Sequence, residues 1–198
     1  MFKDYLKRAQ KQGWAIGQFN VSNVEGLRGV LAAAQKMKSP VIIGTSEGES
    51  GFFGLDEAVM MVEYYKEKTG LPVLLNLDHG HSFEYIKRAI DAGYPAVHFD
   101  GSSLPLKKNI EIARKVKKYA EKRGVLTEGE MNAIHGSSGL LKSAPKLIAA
   151  NLTDPKEAKR FVEATRVNSL ALSIGTFHGQ VEGFHPKLDF KRLKEIKK

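Results

Sequence analysis

Short apolar runs alternate with stretches of helical periodicity along all 198 residues. Six runs have the length and apolar content of buried strands: "WAIGQFNV" (14–21), "PVIIGTS" (40–46), "LPVLLNLDH" (71–79), "PAVHFDG" (95–101), "GVLTEGEM" (124–131) and "NSLALSIGT" (168–176). Between them, apolar positions recur at helical spacing near 23–37, 55–69, 82–92, 105–122 and 154–165, and a last helix starts at about 189. Asp154, Pro155 and Glu157 place a cap, a first-turn proline and an N-terminal acid together. Gly70, Gly93 and Gly124 supply helix ends.

Strands alternating with helices at this spacing imply right-handed βαβ units and a parallel sheet buried on both faces. An open doubly wound sheet and a (β/α) barrel both satisfy the pattern, and the polar residues choose between them. Asn20, Ser46, Asp78, Asp100, Glu130 and Thr176 fall at or just beyond the C-terminal ends of six different strands, where a barrel assembles one site. An open sheet would gather them at one switch point. The expected fold is therefore α/β, a TIM-type barrel forming a single domain over 1–198. Six of eight βα units are recognisable, and the sequence ends within the sixth helix, where a seventh strand is expected to follow. Residues 132–153 read as a long connection without strand periodicity.

Composition changes this picture little. The apolar fraction of 42% supports a sizeable core, and the start "MFKDYLKRAQKQGW" has charges where a signal peptide would have an apolar stretch. With no run long enough to span a bilayer, a cytoplasmic protein without membrane partners is expected. There is no cysteine, so any metal must be held by His, Asp or Glu. The net charge of +9 is concentrated in "KKNIEIARKVKKYAEKRG" (107–124). There the lysines surround a stripe of Ile110, Ala113, Val116 and Ala120, which reads as a solvated helix surface rather than a nucleic-acid site.

Two of the six histidines, His79 and His81, lie in "NLDHGHS" at the end of the third apolar run. Where a strand ends and the chain turns, Asp78 and His79 can both reach the mouth of a barrel, the imidazole for a metal and the carboxylate for proton chemistry. His178, in "SIGTFHG", comes from another strand end beside glycines that let backbone N–H groups approach an anion. Two such histidines point to zinc, one ligand short of the usual catalytic three.

These stretches resemble the class II, metal-dependent fructose-bisphosphate aldolases, a family that includes tagatose-bisphosphate aldolases. "GQFNVSNVEGLRGVLAAAQKMKSPVIIGTSEGE" is similar to the family's opening strands, "LNLDHGHSFEYIKRAIDAGYPAVHFDGSSLPLKKNI" to its "DHG" and "DGS" segment, and "LTDPKEAKRFVEATRVNSLALSIGTFHG" to the run before its second zinc histidine. The resemblance implies a lyase of carbohydrate metabolism acting on a phosphorylated ketose with Zn2+ or another divalent transition metal. It makes His79 and His178 metal ligands, Asp78 the group that handles the substrate hydroxyl proton, and Asn20, Ser46 and Gly179 substrate-binding. In the family a third zinc histidine follows the seventh strand, beyond the end of this sequence. Glu130, and in the long connection His135, are the alternatives within it. Ser138 stands where an acid is expected, and Asn76 where many members carry histidine. His81 reads as a capping or supporting residue, His98 as a half-buried strand histidine, and His185 as part of a connector.

A barrel short of two units leaves an open edge. Losing burial of about ten side chains at roughly 1.5 kcal/mol each is comparable with a whole domain's stability of about 5–15 kcal/mol. A homo-oligomer or a complementing C-terminal fragment is therefore expected. The alternative to an active aldolase is a catalytically inactive aldolase-like fragment or subunit.

Overall fold

The structure is a computed structural model and describes residues 2–134, 136–145 and 152–198. The chain separates into two compact units, the first made of residues 1–99 with 118–127, the second of 100–117 with 128–198. His135 lies outside the described residues, so the expectation for it has no structural counterpart.

The first unit opens with α1 (Phe2–Gln12), then β1 (Gln18–Asn20), α2 (Val24–Met37), β2 (Val41–Ser46), α3 (Glu47–Phe53), α4 (Leu55–Thr69), β3 (Val73–Gly80), α5 (Phe83–Ala92) and β4 (Ala96–Asp100). Neighbouring strands are parallel, with Gln18 opposite Ile42, Val41 opposite Val73 and Asn76 opposite Ala96. The core of β3 is a continuous buried run, Val73 to Leu77, the signature of a strand covered on both faces. Leu27, Leu31, Ala58, Val62, Ile86, Ala89 and Ile90 supply the buried positions of the helices. Asn23 caps α2 by accepting from Gly26 N–H, and Ser82 caps α5 by accepting from Tyr85 N–H. Inside the sheet, Tyr94 is fully buried and its hydroxyl pairs with Thr45 Oγ1 at 2.8 Å. Asn76 is buried as well and donates to Gln18 Oε1 at 3.0 Å.

The boundary between the units passes through three elements: the end of β4, α6 (Leu106–Glu121) and β5 (Leu126–Glu130). The second unit continues with β6 (Gly136–Leu140), α7 (Pro155–Thr165), β7 (Ser169–Ala171), β8 (His178–Gln180) and α8 (Phe190–Ile196). Its part of β5 pairs in parallel with β7, Glu128 opposite Ser169. Gly129 lies so close to Phe161 that an added Cβ would stand 2.8 Å from the ring. Asp154 caps α7 by accepting from the N–H groups of Lys156 and Glu157, with Pro155 in its first turn.

The six-stranded sheet runs β1-β2-β3-β4-β5-β7. The order follows the sequence without a reversal, whereas a doubly wound sheet reverses at its switch point. This is the strand order of an incomplete TIM-type (β/α) barrel.

The helices of the periodicity reading are present to within about two residues, but α1, α3, β6 and β8 are new, and the first expected strand, 14–21, is only Gln18–Asn20. The expected strand at 168–176 is only Ser169–Ala171, so Thr176 does not stand at a strand end. The connection at 132–153 contains β6, which pairs in parallel with β8 in a separate two-stranded sheet. Its sequence "GSSGL" has no apolar alternation, so pairing rather than propensity makes the strand. Helix α1 was hidden because its charges dominate its composition, although Phe2, Tyr5, Leu6 and Ala9 share one helical face. No helix among the described residues is long and apolar enough to cross a membrane.

Candidate functional site

The first unit gathers Asn20, Ser46, Asp78 and His79 at the C-terminal ends of β1, β2 and β3. Between the pairs Leu77–Val97 and Gly80–Phe99, β3 carries one residue more than β4. The extra residue makes a bulge. His79 takes a left-handed backbone, φ 52°, which costs a non-glycine residue on the order of 1–3 kcal/mol. The expectation of a strand end that turns is thus met differently: the strand continues to Gly80, and the bulge redirects Asp78 and His79. Gly80 is required here, because an added Cβ would lie 2.6 Å from the Ile86 side chain and 3.1 Å from the His98 carbonyl oxygen.

Asp78 is held from several sides. Asn20 Nδ2 donates to its Oδ2 at 2.9 Å. The same Nδ2 lies 3.1 Å from Glu49 Oε2. Gly44 leaves room for the Asn20 side chain, since a Cβ there would stand 2.1 Å from Asn20 Oδ1. Glu49 is fixed in turn by a capping box, accepting from Ser46 N–H at 2.7 Å while its own N–H donates to Ser46 Oγ at 3.2 Å. Ser46 therefore has a structural duty at the start of α3, besides its place at the strand end. Burial by itself would raise the Asp78 carboxyl, but hydrogen bonding from His98 and Asn20 and the charge of His79 and His98 outweigh it and hold it at about 2. The group is ionised at neutral pH.

His98 is buried, 4% exposed, which corrects the expectation of a half-buried strand histidine. Its Nδ1 lies 3.4 Å from the His79 backbone N–H and 3.7 Å from Asp78 Oδ1. The rings of His79 and His98 are 4.7 Å apart. One ligand atom each from Asp78, His79 and His98 falls within 4.8 Å of the others. Two imidazoles and one carboxylate form a donor set suited to a divalent transition metal, so the residues present fit such an ion. His81 is anchored through its backbone N–H, which donates to Glu47 Oε1 at 2.7 Å.

In the second unit, Glu130 is 2% exposed. Its carbonyl accepts from Asn109 Nδ2 at 2.7 Å. Asp100 turns its Oδ1 onto the N–H of Ser102, 3.0 Å away. His178 and Gly179 lie in β8, half-buried, rather than at the end of the β7 run. Gly136 allows that ladder to form, because a Cβ on it would reach within 2.1 Å of the His178 carbonyl oxygen. His185 is exposed, in the stretch between β8 and α8.

Sequence reading missed Glu49 and His98. Ser46 and Glu49 at capping-box spacing after an apolar run were the available signal for the first. For His98 the signal was its place two residues before Asp100 on the strand that follows "LDH".

A family model described as "Fructose-bisphosphate aldolase class-II" matches residues 1–198. The fructose-bisphosphate aldolase of Staphylococcus epidermidis is 40% identical over 197 residues, covering 98% of this chain and 67% of its own length. That of Geobacillus stearothermophilus is 38% identical over 198 residues, with the same shares. Among solved structures, the YdjI aldolase from Escherichia coli K12 superposes with a TM-score of 0.81 at 31% identity, over 96% of this chain and 65% of that one. The chain thus spans about two thirds of the length of the relatives it matches.

Proposed function

The chain belongs to the class II fructose-bisphosphate aldolase family, and on that premise we propose that it serves the reversible, zinc-dependent cleavage of a ketose bisphosphate. Fructose 1,6-bisphosphate, giving dihydroxyacetone phosphate and glyceraldehyde 3-phosphate, is the first substrate to test. The observation that carries the proposal is an ionised carboxylate, Asp78, fixed by Asn20 and set beside the imidazoles of His79 and His98.

In cleavage, the hydroxyl proton of the carbon that becomes the aldehyde passes to Asp78, and that oxygen becomes a carbonyl as the neighbouring carbon–carbon bond breaks. The electron pair of the broken bond is delocalised toward the ketone oxygen. His79 would hold a divalent ion, whose Lewis acidity would polarise that ketone. Asn20, donating to Asp78 Oδ2, keeps the carboxylate in one orientation, and the family resemblance adds substrate binding to its role. The family resemblance alone adds His178 as a further ligand, and Ser46 and Gly179 as groups that bind the substrate or its phosphate; Glu130, at a neighbouring strand end, is the alternative ligand within the chain. A cytoplasmic setting and completion of the barrel by a second copy or a C-terminal fragment belong to the same reading.

The test is retro-aldol cleavage of fructose 1,6-bisphosphate by the purified 198-residue chain, with added zinc and with chelator. Cleavage that needs zinc supports the proposal. No cleavage by a folded, zinc-loaded chain would leave the inactive aldolase-like fragment as the reading to keep.

A further inference from the structure

We propose that Glu49 is a positioning residue that holds Asp78 through Asn20: its carboxyl group fixes the Asn20 amide, and the amide fixes the Asp78 carboxylate for proton transfer. The inference rests on the reading of Asp78 as the proton-handling group and gives a role to a residue that the motif resemblance does not assign.

Asn20 stands opposite Gly44 in the β1–β2 ladder, and Ser46 stands opposite Asp78 in the β2–β3 ladder. Asn20 and Asp78 are therefore on strands separated by β2, roughly 9–10 Å apart from backbone to backbone. The Asn20 side chain bridges that gap beside Gly44, where a Cβ would stand 2.1 Å from Asn20 Oδ1. β1 has three residues, and all three are exposed. Packing thus does little to hold the Asn20 rotamer, and hydrogen bonds take that part.

Glu49 is placed to supply one by its spacing from Ser46. As the third residue of α3 in a capping box, it folds back onto Ser46, whose N–H donates to Oε2 at 2.7 Å. The same oxygen lies 3.1 Å from Asn20 Nδ2, and Nδ2 lies 2.9 Å from Asp78 Oδ2. Nδ2 carries two hydrogens, one for each carboxyl oxygen. Turning the amide over would set its oxygen, an acceptor, against both carboxyl groups, so the two contacts together select one orientation. Without the Glu49 side chain, one of these hydrogens loses its acceptor, and the amide gains freedom to turn away from Asp78.

The test compares the isotope-labelled 198-residue chain with its Glu49→Ala and Glu49→Gln variants, the second of which keeps an acceptor oxygen at the same reach without the charge. In the absence of substrate, the Asn20 Nδ2 protons should exchange with solvent at least about tenfold faster in Glu49→Ala, and Glu49→Gln should restore most of the protection. In cleavage of fructose 1,6-bisphosphate at equal zinc content, Glu49→Ala should lower kcat at least about tenfold with KM within about twofold, and Glu49→Gln should recover most of the loss. Unchanged Asn20 exchange in Glu49→Ala overturns the inference. So does faster exchange with an unchanged kcat, or a rate loss that Glu49→Gln leaves in full. No cleavage by the wild-type chain overturns the reading of its activity, while the Asn20 exchange still decides whether Glu49 holds the amide. Should Glu49→Ala fail to fold, the wild-type spectrum decides: a correlation across the hydrogen bond from the Asn20 Nδ2 protons to the Glu49 carboxyl carbon supports the inference, and its absence overturns it.

Discussion

The two units hold their candidate residues in different ways. In the first, a chain of contacts runs from the Ser46 cap through Glu49 and Asn20 to Asp78, and the bulge sets His79 against His98. Ser46, Asp78 and His79 stand on β2 and β3, strands of six and eight residues, with Asn20 on the three-residue β1, Glu49 on α3 and His98 on β4, and β3 is buried through most of its length. In the second, His178 and Gly179 lie in a three-residue strand that, among the described residues, pairs with β6 alone, where Leu140 is 85% exposed. Nearby, Thr153 and Ser173 exchange two hydrogen bonds at 2.9 Å. Side chains are positioned most firmly where long, covered strands fix the backbone, which supports the proposed site at β3 and β4.

If that contrast is right, truncating the support of β3 has the largest structural effect. Leu77 is fully buried next to Asp78, so Leu77→Ala should cost about 2–5 kcal/mol in chemical denaturation. Raising the pH should act next. Burial pushes the Tyr94 hydroxyl up to about 12, with the Thr45 hydrogen bond acting against that. The unfolded chain ionises Tyr94 above about 10. The folded chain therefore retains the proton between about 10 and 12, and stability falls as the pH rises through that window, on the order of 2 kcal/mol in total. Tyr94→Phe should remove this part of the alkaline loss, as read from melting temperature against pH. Ser46→Ala removes the cap of α3 and should cost about 1 kcal/mol. It should also raise amide exchange at Glu49, which loses its Ser46 acceptor. At the small end, Leu140→Ala in the exposed part of β6 should change stability by no more than about 0.5 kcal/mol. A large effect there would erase the distinction between the units.

Much of this was legible in the sequence because parallel strands are written as continuous apolar runs and helices as a 3.6-residue period. The helix from Leu55 to Thr69 and the core of β3 are clear cases. "DHG" gave Asp78 and His79 because a carboxylate and an imidazole at the end of an apolar run stand where a barrel strand delivers side chains to the site. What escaped depends on tertiary pairing. The Gly- and Ser-rich β6 forms only against β8, and the bulge in β3 exists only in register with β4. For His98 the sign was only its place on the next strand, two residues before Asp100, since it meets Asp78 across neighbouring strands, 20 residues apart in the chain. Strand 168–176 was overextended because apolar alternation continues past Ala171 after its ladder partner, β5, has ended at Glu130.

The account places proton transfer at Asp78, and Asp78→Asn tests this most directly, because it keeps the size of the side chain while removing its basicity. Cleavage of fructose 1,6-bisphosphate would be followed for wild type and variant at saturating zinc, with metal content measured in the same samples. The expected result is zinc-dependent cleavage by the wild-type chain and a loss of at least about a hundredfold in the metal-loaded variant. Equal rates from the two metal-loaded proteins would contradict the account.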